Sequence, residues 1–329
     1  MSSTGVTTTG PVNIVKGNHG ELVAFLVLNM WPSHLGLPVL LAIVLFSKRV
    51  KRHPTFINLI IALMIVGFSS SLLVYAGRTT GPEPSRMLCL LQASLLYGMP
   101  AISSTSACML FLQMFYMIRA AYHGKQYQEM DHMLRLWLML IAPYVVFFAS
   151  MLATAIVGAS HPEQVSRSRR FFYCSLDCLP ITNTITLFSA GVLLVALILI
   201  IWTTVMIYKR WKQSLGQGAK ARWTSDLSLP IRIICFGFYV IICMSLSLLS
   251  VKSPSTPVPD VLISTAATVF LFIFGTQPDI LSVLCFWRKP KSRRVTESYK
   301  VDLQREYDQE SGVSEPKYRS PVTPRPGAF

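Results

Sequence analysis

The sequence predicts an all-α membrane protein: a bundle of seven transmembrane helices with a short juxtamembrane helix and a disordered tail. Three observations predict this fold class. Only 14% of the 329 residues are charged while 52% are hydrophobic, whereas a soluble domain carries roughly 25% charged residues to cover its surface. Long apolar runs recur along the chain, and a bilayer-spanning helix needs roughly 20 such residues. Beyond about residue 290, charged residues, Ser, Thr and Pro dominate, which is typical of disorder.

The predicted organisation has three parts. An extracellular N-terminus covers residues 1–20, the bundle covers 21–287, and a cytoplasmic tail covers 288–329. Within the bundle, the apolar runs predict seven spans, near 22–46, 55–77, 88–118, 134–158, 184–208, 231–251 and 261–286. The third span is long enough to tilt or to protrude from the bilayer.

Prolines lie inside the first, third and fourth predicted spans. They are Pro32, Pro38, Pro100 and Pro143. Proline removes a backbone hydrogen bond and often kinks a spanning helix, and kinked helices leave internal cavities. The alternative is that these prolines reflect only the higher proline content of membrane helices in general.

The lysines and arginines predict the orientation of the chain, because basic loops stay on the cytoplasmic side. With the N-terminus outside, most of the 30 basic residues fall in the three inner loops and the tail. We therefore expect a multi-pass plasma-membrane protein with an extracellular N-terminus and a cytoplasmic C-terminus. The net charge of +15 is then a topology signal and an attraction to anionic inner-leaflet lipid. The lipid bilayer is the expected partner, and nucleic acid is not.

Three of the seven cysteines are expected on the oxidising outer side, where disulfides persist. Cys89 lies at the outer end of the third span, and Cys174 and Cys178 lie in the second outer loop. A bond from Cys89 to either loop cysteine would pin that loop over the mouth of the bundle. A local bond between Cys174 and Cys178, or free thiols, are the alternatives.

Several function classes lack the residues that they need. No Asp, Glu, Lys or Arg lies at mid-depth in a span, which argues against proton- or ion-coupled transport. The chain has no HExxH or GxSxG motif and no carboxylate pair within a span, so we expect no enzyme activity. His34 is the only histidine well inside a span, which leaves too few ligands for a histidine metal site. Neither a metal nor another cofactor is predicted.

The seven spans, the outer cysteines, the basic third inner loop and the Ser/Thr-rich tail together resemble a G-protein-coupled receptor. In rhodopsin-like receptors the last span ends in an Asn/Asp-Pro-x-x-Tyr motif, and Gln277, Pro278 and Asp279 occupy the comparable place. Phe286 and Trp287, followed by basic residues, look like the start of the membrane-lying helix that comes next. Aromatic and basic side chains suit the headgroup boundary where such a helix lies.

The chain departs from the rhodopsin-like pattern in three places. Only Arg119 matches the Asp/Glu-Arg-Tyr motif at the end of the third span. The sixth span lacks the Cys-Trp-x-Pro switch, and Gly67 stands where an aspartate that binds sodium is expected. The resemblance therefore covers the architecture of residues 1–295 with few matched motifs. It is similar to divergent receptor-like proteins of the kind fungi carry and selects no subfamily.

The resemblance implies a ligand site among the outer halves of the helices, under the second outer loop. The candidate ligand-binding residues are Trp31, His34, Tyr75, Gln92, Tyr97 and Asn183. Ligand pockets are mostly apolar with a few placed polar groups, and this set has that character. Because no buried charge is expected there, a lipophilic or neutral ligand, or an apolar peptide, is favoured over a cationic amine.

The resemblance also implies that ligand binding shifts a helix equilibrium at the inner face and opens a crevice for a heterotrimeric G protein. The candidate coupling residues are Arg119, Lys209, Arg210, Lys212, Lys220, Arg222 and Arg232. Their charge would attract an acidic partner surface; the alternative is that they serve topology alone. In the tail, short patterns predict phosphorylation at Thr296, Ser320 and Thr323.

Two other function classes fit the same sequence. One is an uncoupled transporter or channel-like bundle that moves a neutral solute, which substrate flux in liposomes would reveal. The other is a membrane adaptor that works through its tail, and deletion of residues 295–329 would abolish its function.

Overall fold

The computed structural model describes residues 19–47, 50, 52–80, 84–122, 133–167, 172–215, 228–250 and 258–284. The described residues all belong to the first unit of the chain, Met1–Leu284. Residues 285–329, which include Phe286, Trp287 and the three predicted phosphorylation sites, lie outside the described residues. The described part of the first unit is helical apart from one two-stranded sheet, so the predicted all-α class is confirmed there.

The described elements follow one another in a simple order. The helices are α1 (His19–Trp31), a π-helical turn (Pro32–Gly36), α2 (Leu37–Phe46), α3 (Pro54–Ser70), α4 (Leu72–Tyr75), α5 (Arg86–Tyr122), α6 (Met133–Ser160), α7 (Leu179–Leu215), α8 (Ser228–Ser250), α9 (Val258–Ser264), α10 (Ala266–Gly275) and α11 (Pro278–Leu284). Between α6 and α7 lie a 3₁₀ turn (Pro162–Gln164) and the strands β1 (Val165–Ser166) and β2 (Ser175–Leu176). The strands pair antiparallel, with Val165 opposite Leu176.

Four of the described helical segments are long and apolar enough to cross a membrane. They are His19–Phe46, Arg86–Tyr122, Met133–Ser160 and Leu179–Lys209. A fifth is added if the bent pair Asp260–Gly275 and Pro278–Leu284 forms one span. Pro54–Ser70 and Pro230–Cys243 are apolar but shorter. The chain is therefore a helical protein with several helices that could span a membrane, and crossing by all seven segments stays a prediction.

The first predicted span contains a π-helical turn in place of a simple kink. The backbone N–H of Leu37 donates to the carbonyl of Pro32 across this turn, which inserts one extra residue into the helical ladder. Pro38 has no N–H to contribute to that ladder. By contrast, α5 and α6 run through Pro100 and Pro143 without a break. The helix interruption expected from proline is thus confined to the first of these three helices.

The last predicted span is not the continuous helix expected over 261–286. It stops at Gly275, and α11 leaves at an angle of 91° to the segment before it. Pro278 lacks the N–H that would continue the ladder and instead occupies the first position of a new helix. The N–H of Leu281 donates to the carbonyl of Gln277 at 2.8 Å, so Gln277 caps the new helix. The turn in direction therefore comes about nine residues before Phe286.

The second predicted span, near 55–77, is also divided, at Ser71. The hydroxyl of Ser71 donates to the carbonyl of Gly67 at 2.8 Å, one turn back along the helix. Side-chain bonds of this kind compete with the regular ladder and often bend helices. The division leaves Pro54–Ser70 and the short helix Leu72–Tyr75.

The main core surrounds α5, which packs against α3, α6, α7 and α8. Its largest fully buried side chains include Phe111, Phe236, Phe270 and Phe274. The rings of Phe236 and Phe270 meet edge-to-face with centroids 5.2 Å apart, an arrangement that aromatic pairs favour. The inner faces of α5, α8 and α10 are thereby held together.

The opposite faces of the helices carry large exposed apolar side chains. On α6 they recur roughly every turn, at Leu138, Ile141, Val145, Phe148 and Leu152. Such a continuous apolar stripe is too extensive for a monomer in water, whereas it is stable in contact with the hydrocarbon chains of a lipid bilayer. The exposed stripe therefore agrees with the membrane environment that the composition predicts.

Candidate functional site

A small lid, formed by β1, β2 and their described neighbours (165–167 and 172–176), covers one end of the bundle, and a disulfide attaches it to α5. The disulfide joins Cys89 to Cys174 with their Cα atoms 5.3 Å apart, and Cys178 is a free thiol. The sequence left open whether Cys174 or Cys178 pairs with Cys89, and the structure selects Cys174. Cys174 precedes β2, so the bond places the short sheet directly over α5.

Gln92, one turn along α5 from Cys89, makes a second contact with the lid. Its Oε1 atom accepts a hydrogen bond of 3.1 Å from the backbone N–H of Cys174, and its side chain is fully buried. Gln92 was predicted to contact a ligand. In the structure it lies beneath the lid and satisfies the backbone donor of Cys174, which precedes β2.

Arg167 attaches the other side of the lid to the segment after α4. Its Nη1 and Nη2 atoms donate hydrogen bonds of 3.0 Å to the carbonyls of Arg78 and Thr79. The residue is almost fully buried, and a planar guanidinium suits two parallel acceptors. The sequence gives no sign of this role, because nothing distinguishes Arg167 from the other basic residues of the predicted outer loop.

Beneath the lid lies a cavity of about 250 Å³ that reaches into the bundle. Its wall toward the lid is polar and includes Tyr97, Tyr173, Ser175, Thr182 and Asp260. Its deeper wall is apolar and includes Leu59, Leu63, Ala107, Phe236 and Ala267. Tyr97 and Ala107 are ten residues apart on α5, a rise of roughly 15 Å. The cavity thus has a polar end and an apolar end.

The polar end has a partly completed hydrogen-bond network. The hydroxyl of Tyr97 donates to the carbonyl of Leu176 at 2.7 Å and lies 3.1 Å from Oγ1 of Thr182. By contrast, the Oγ atom of Ser175 is buried and has no hydrogen-bond partner among the described residues. Since buried polar groups are nearly always hydrogen-bonded, this hydroxyl can take part in one more hydrogen bond close to the cavity.

A carboxylate also reaches this cavity, which the sequence analysis did not expect. Asp260, in α9, accepts a hydrogen bond of 3.1 Å from the hydroxyl of Tyr173 in the lid. Both residues line the cavity. From the sequence, Asp260 reads as an acid at the outer end of the last span, and only the packing of α9 beside the lid brings it to the cavity wall.

The predicted ligand residues separate into three groups. Tyr97 lines the cavity, and Gln92 supports the lid. His34 and Tyr75 contact each other on the exposed surface of the first two predicted spans, where the His34 ring also meets Phe68. The remaining two, Trp31 and Asn183, are exposed and do not line the cavity.

A second cavity, of about 810 Å³, lies at the end of the bundle opposite the lid, called the basal end below. Its wall includes the segment between α2 and α3, the last turns of α5 and the start of α8. Three of the predicted coupling residues, Arg119, Lys209 and Lys212, have exposed side chains on α5 and α7. The side chain of Arg210, and Lys220 and Arg222 altogether, fall outside the described residues.

The three residues of the predicted helix-end motif lie at the 91° turn, and two of them meet an arginine. The guanidinium of Arg52 donates to Oε1 of Gln277 and to the carboxylate of Asp279. Pro278 opens α11 between them. From the sequence, Arg52 is one of the basic residues of a predicted inner loop, and its partner 227 positions away cannot be inferred from the residues around it. Arg232, predicted to contact a G protein, donates to α10 at the same turn.

Within the described residues, no group of three or more His, Cys, Asp or Glu side chains is placed to hold a metal ion. The lid cavity is lined by apolar side chains, hydroxyls and the carboxylate of Asp260. The basal cavity is lined mainly by apolar side chains together with Arg52, and the cations Arg119, Lys209 and Lys212 are exposed at the same end of the bundle. Such groups can bind and orient a small molecule or an acidic surface. No protein-family model matches the chain, and no curated protein is significantly similar to it in sequence.

Proposed function

We propose that this chain is a receptor-like signalling protein of the plasma membrane, similar to a G-protein-coupled receptor. In this proposal a neutral, lipophilic ligand with a small polar head binds in the cavity under the lid. The signal passes to a heterotrimeric G protein at the basal end, which faces the cytoplasm. The observation that carries the proposal is the lid cavity, with the hydroxyl of Ser175 at its polar end, which has no hydrogen-bond partner among the described residues.

The shape and polarity of the lid cavity support a small amphiphilic ligand. Its volume of about 250 Å³ is near the lower limit of about 300 Å³ for small-molecule sites. A ligand hydroxyl beside Ser175 would give this buried group the hydrogen bond that it lacks. The alkyl part would then lie against Leu63, Phe236 and Ala267, where each buried methylene contributes about 0.8 kcal/mol.

Asp260 does not make a cationic ligand necessary. Its carboxylate accepts a hydrogen bond from Tyr173 in the lid, and a carboxylate accepts from a neutral hydroxyl as well as from a cation. The polar end can therefore receive a neutral head group. The neutral ligand expected from the sequence is kept in this proposal, with Asp260 as a constraint on the lid.

Cations at the basal end support the second half of the proposal. Arg119, Lys209 and Lys212 extend from the ends of two neighbouring helices, α5 and α7, beyond the core. An acidic helix or loop of a partner would be attracted to such a surface. Because no motif of the family other than Arg119 is present at this position, coupling must be tested directly.

The ligand half is tested with a defined probe pair, 1-octanol and n-octane, and full-length protein in lipid nanodiscs. We expect 1-octanol to raise the thermal unfolding temperature and n-octane, which has no hydroxyl, to do so less. Ser175→Ala should weaken octanol binding roughly fivefold, the loss of one neutral hydrogen bond. Ser189→Ala is the matched control. Ser189 is also buried, and its Oγ atom has no partner in the part of the chain that the structure describes, but it does not line the cavity. Equal effects of both substitutions would contradict the proposed ligand site.

The coupling half is tested by nucleotide exchange on a panel of Gα subunits, with membranes that carry the chain. Exchange above background that falls in Arg119→Ala, but not in Arg86→Ala at the lid end, is the expected result. Both arginines are exposed on α5, so the comparison separates position from charge. Exchange at the background level with every subunit, with and without octanol, would count against G-protein coupling.

An uncoupled transporter of a neutral solute is the second candidate. Two cavities, one under the lid and one at the basal end, favour it, because alternating access needs a site that can open to either side. Uptake of glycerol, a neutral solute smaller than octanol, into sealed liposomes would separate this function from signalling. The adaptor alternative predicts that deletion of 295–329 abolishes function, whereas a receptor should retain ligand binding.

A further inference from the structure

Two arginines from distant parts of the chain converge on the turn between α10 and α11. Arg232, near the start of α8, donates through Nη1 to the carbonyl of Ile273 and, at 2.7 Å, to the hydroxyl of Thr276. Arg52, between α2 and α3, donates to Gln277 and Asp279. A stretch of seven residues, 273–279, therefore receives hydrogen bonds from two other elements.

The backbone at this turn explains why a cation is favoured beside Ile273. In a continuous helix the N–H of Gln277 would donate to the carbonyl of Ile273, four residues earlier. Here it donates to the carbonyl of Phe274 at 3.1 Å instead. The last carbonyls of a helix also carry partial negative charge. The guanidinium of Arg232 therefore meets a helix end that lacks its backbone donor.

The contact of Arg52 is of a different kind, because it includes an ion pair. The side chains of Arg52 and Asp279 are 13% and 36% exposed, so water only partly screens them. Arg52 also bonds the amide oxygen of Gln277, which is itself only 2% exposed. One guanidinium thus bridges the residue before Pro278 and the residue after it, and so holds the two sides of the 91° turn.

Both contacts lie beside the basal cavity. Arg52 lines this cavity, and so do Pro230 and Ile233, which flank Arg232 on α8. The basal end of α8 and the α2–α3 segment are therefore tied to the same turn. We propose that Arg52 and Arg232 form a two-point latch on residues 273–279, and that the latch must open before the basal cavity can widen.

The closed latch leaves buried donors without acceptors, which makes it able to open. The Nε atom of Arg52 and the Nε2 atom of Gln277 are buried and have no hydrogen-bond partner among the described residues. Unpaired buried donors raise the free energy of the closed state relative to one in which water reaches them. If every buried donor of the latch were paired, the closed state would be more stable and would open less often.

Hydrogen exchange of the full-length protein in nanodiscs, followed in peptides covering 272–284, tests the latch. Arg52→Gln and Asp279→Asn should each accelerate exchange there by roughly tenfold, the effect of losing a hydrogen bond to a charged group. The pair Arg52→Asp with Asp279→Arg should restore slow exchange. Arg86→Gln, which removes an exposed arginine at the lid end, should leave these peptides unchanged.

A second measurement reports the cavity itself. Met114 lines the basal cavity and is buried, so a Met114→Cys thiol should react slowly with a polar maleimide. Adding Arg52→Gln or Arg232→Gln should accelerate that reaction by roughly tenfold. Unchanged exchange in 272–284, or unchanged labelling at position 114, would overturn the proposal. If a single variant accelerates exchange in the lid peptides as well, the charge-reversed pair decides: restored slow exchange supports the latch, and its absence refutes it.

Discussion

Gln92 and Cys174 are 82 positions apart in sequence, yet the backbone N–H of Cys174 donates a 3.1 Å hydrogen bond to Oε1 of Gln92. Both are buried, and the disulfide from Cys89 meets the same residue of the lid. The lid is therefore held to α5 by one covalent and one polar contact within a single helical turn. The shape of the cavity below depends on this attachment.

Substitution of Gln92 should loosen the lid without greatly lowering overall stability. Gln92→Leu leaves the N–H of Cys174 without its acceptor, which costs about 1–3 kcal/mol. It also removes the Nε2 atom of Gln92, a buried donor without a partner among the described residues, which offsets part of that cost. We expect amide exchange at residues 172–176 to rise roughly tenfold with little change in thermal unfolding. Ser94→Ala, which removes only a bond within its own helix, should leave the lid peptides unchanged.

Loss of the disulfide should be strongly destabilising. The bond closes a loop of 85 positions, for which the chain-entropy treatment gives about 4–5 kcal/mol. Cys89→Ser and Cys174→Ser should therefore lower the unfolding temperature by similar amounts under non-reducing conditions. Cys178→Ser removes a free thiol and should change it little. If Cys178→Ser matched the other two, the pairing would have to be reassigned.

Gly67 should not tolerate a larger side chain. A Cβ atom there would collide with the side chain of Ser33 in the π-helical turn and lie 3.0 Å from the carbonyl oxygen of Asn29. Gly67→Ala should destabilise the protein by about 1–3 kcal/mol, as overpacking of a close helix contact does. Gly191→Ala is the control, because nothing lies within 4 Å of its Cβ position. It should be neutral or stabilising by up to about 1 kcal/mol, as measured by thermal unfolding.

Tyr144 and Asn58 should be energetically coupled. The hydroxyl of Tyr144 on α6 donates to Oδ1 of Asn58 on α3 at 2.6 Å. The amide of Asn58 in turn donates to the carbonyl of Leu140 at 3.1 Å. Polar contacts between membrane helices contribute about 0.6 kcal/mol on average and up to about 1.7. Tyr144→Phe should cost an amount in this range.

A double-mutant cycle checks whether that cost comes from the contact. In the background of Asn58→Leu, Tyr144→Phe should have little further effect on the unfolding temperature. Additive losses from the two substitutions would show that the hydroxyl acts independently of Asn58.

The bounds of two long helices could be predicted from the sequence to within a few residues. The third span was expected at 88–118 and is found as Arg86–Tyr122; the fourth was expected at 134–158 and is found as Met133–Ser160. A helix that crosses a lipid bilayer needs a long run of apolar residues. Because such a run lies within one continuous segment, it can be recognised from the sequence of that segment alone. The choice of an all-α class rests on the same reason.

The candidate site was predicted less well, because its members meet through contacts between distant segments. Tyr97 was expected near a ligand and does line the cavity, whereas Ser175 and Asp260 were not expected there. Whether a polar residue points into a cavity, supports a lid or faces lipid depends on how its helix is rotated in the bundle. When a helix is apolar on every side, the spacing of its apolar residues does not show which side faces the core.

The helical class, the membrane-like composition, the three cysteines expected on the outer side and the excess of basic residues in the predicted inner segments could all be predicted without a structure. Each of these features depends only on the residues of a single segment and on whether that segment contacts lipid or water. The tertiary structure decided that Cys174 is the bonded loop cysteine and that the last predicted span turns by 91°. It also decided that Arg52 meets Asp279. These outcomes depend on which side chains come within hydrogen-bonding or bonding distance after packing, and chain separations of 85 and 227 positions leave no pattern in the local sequence.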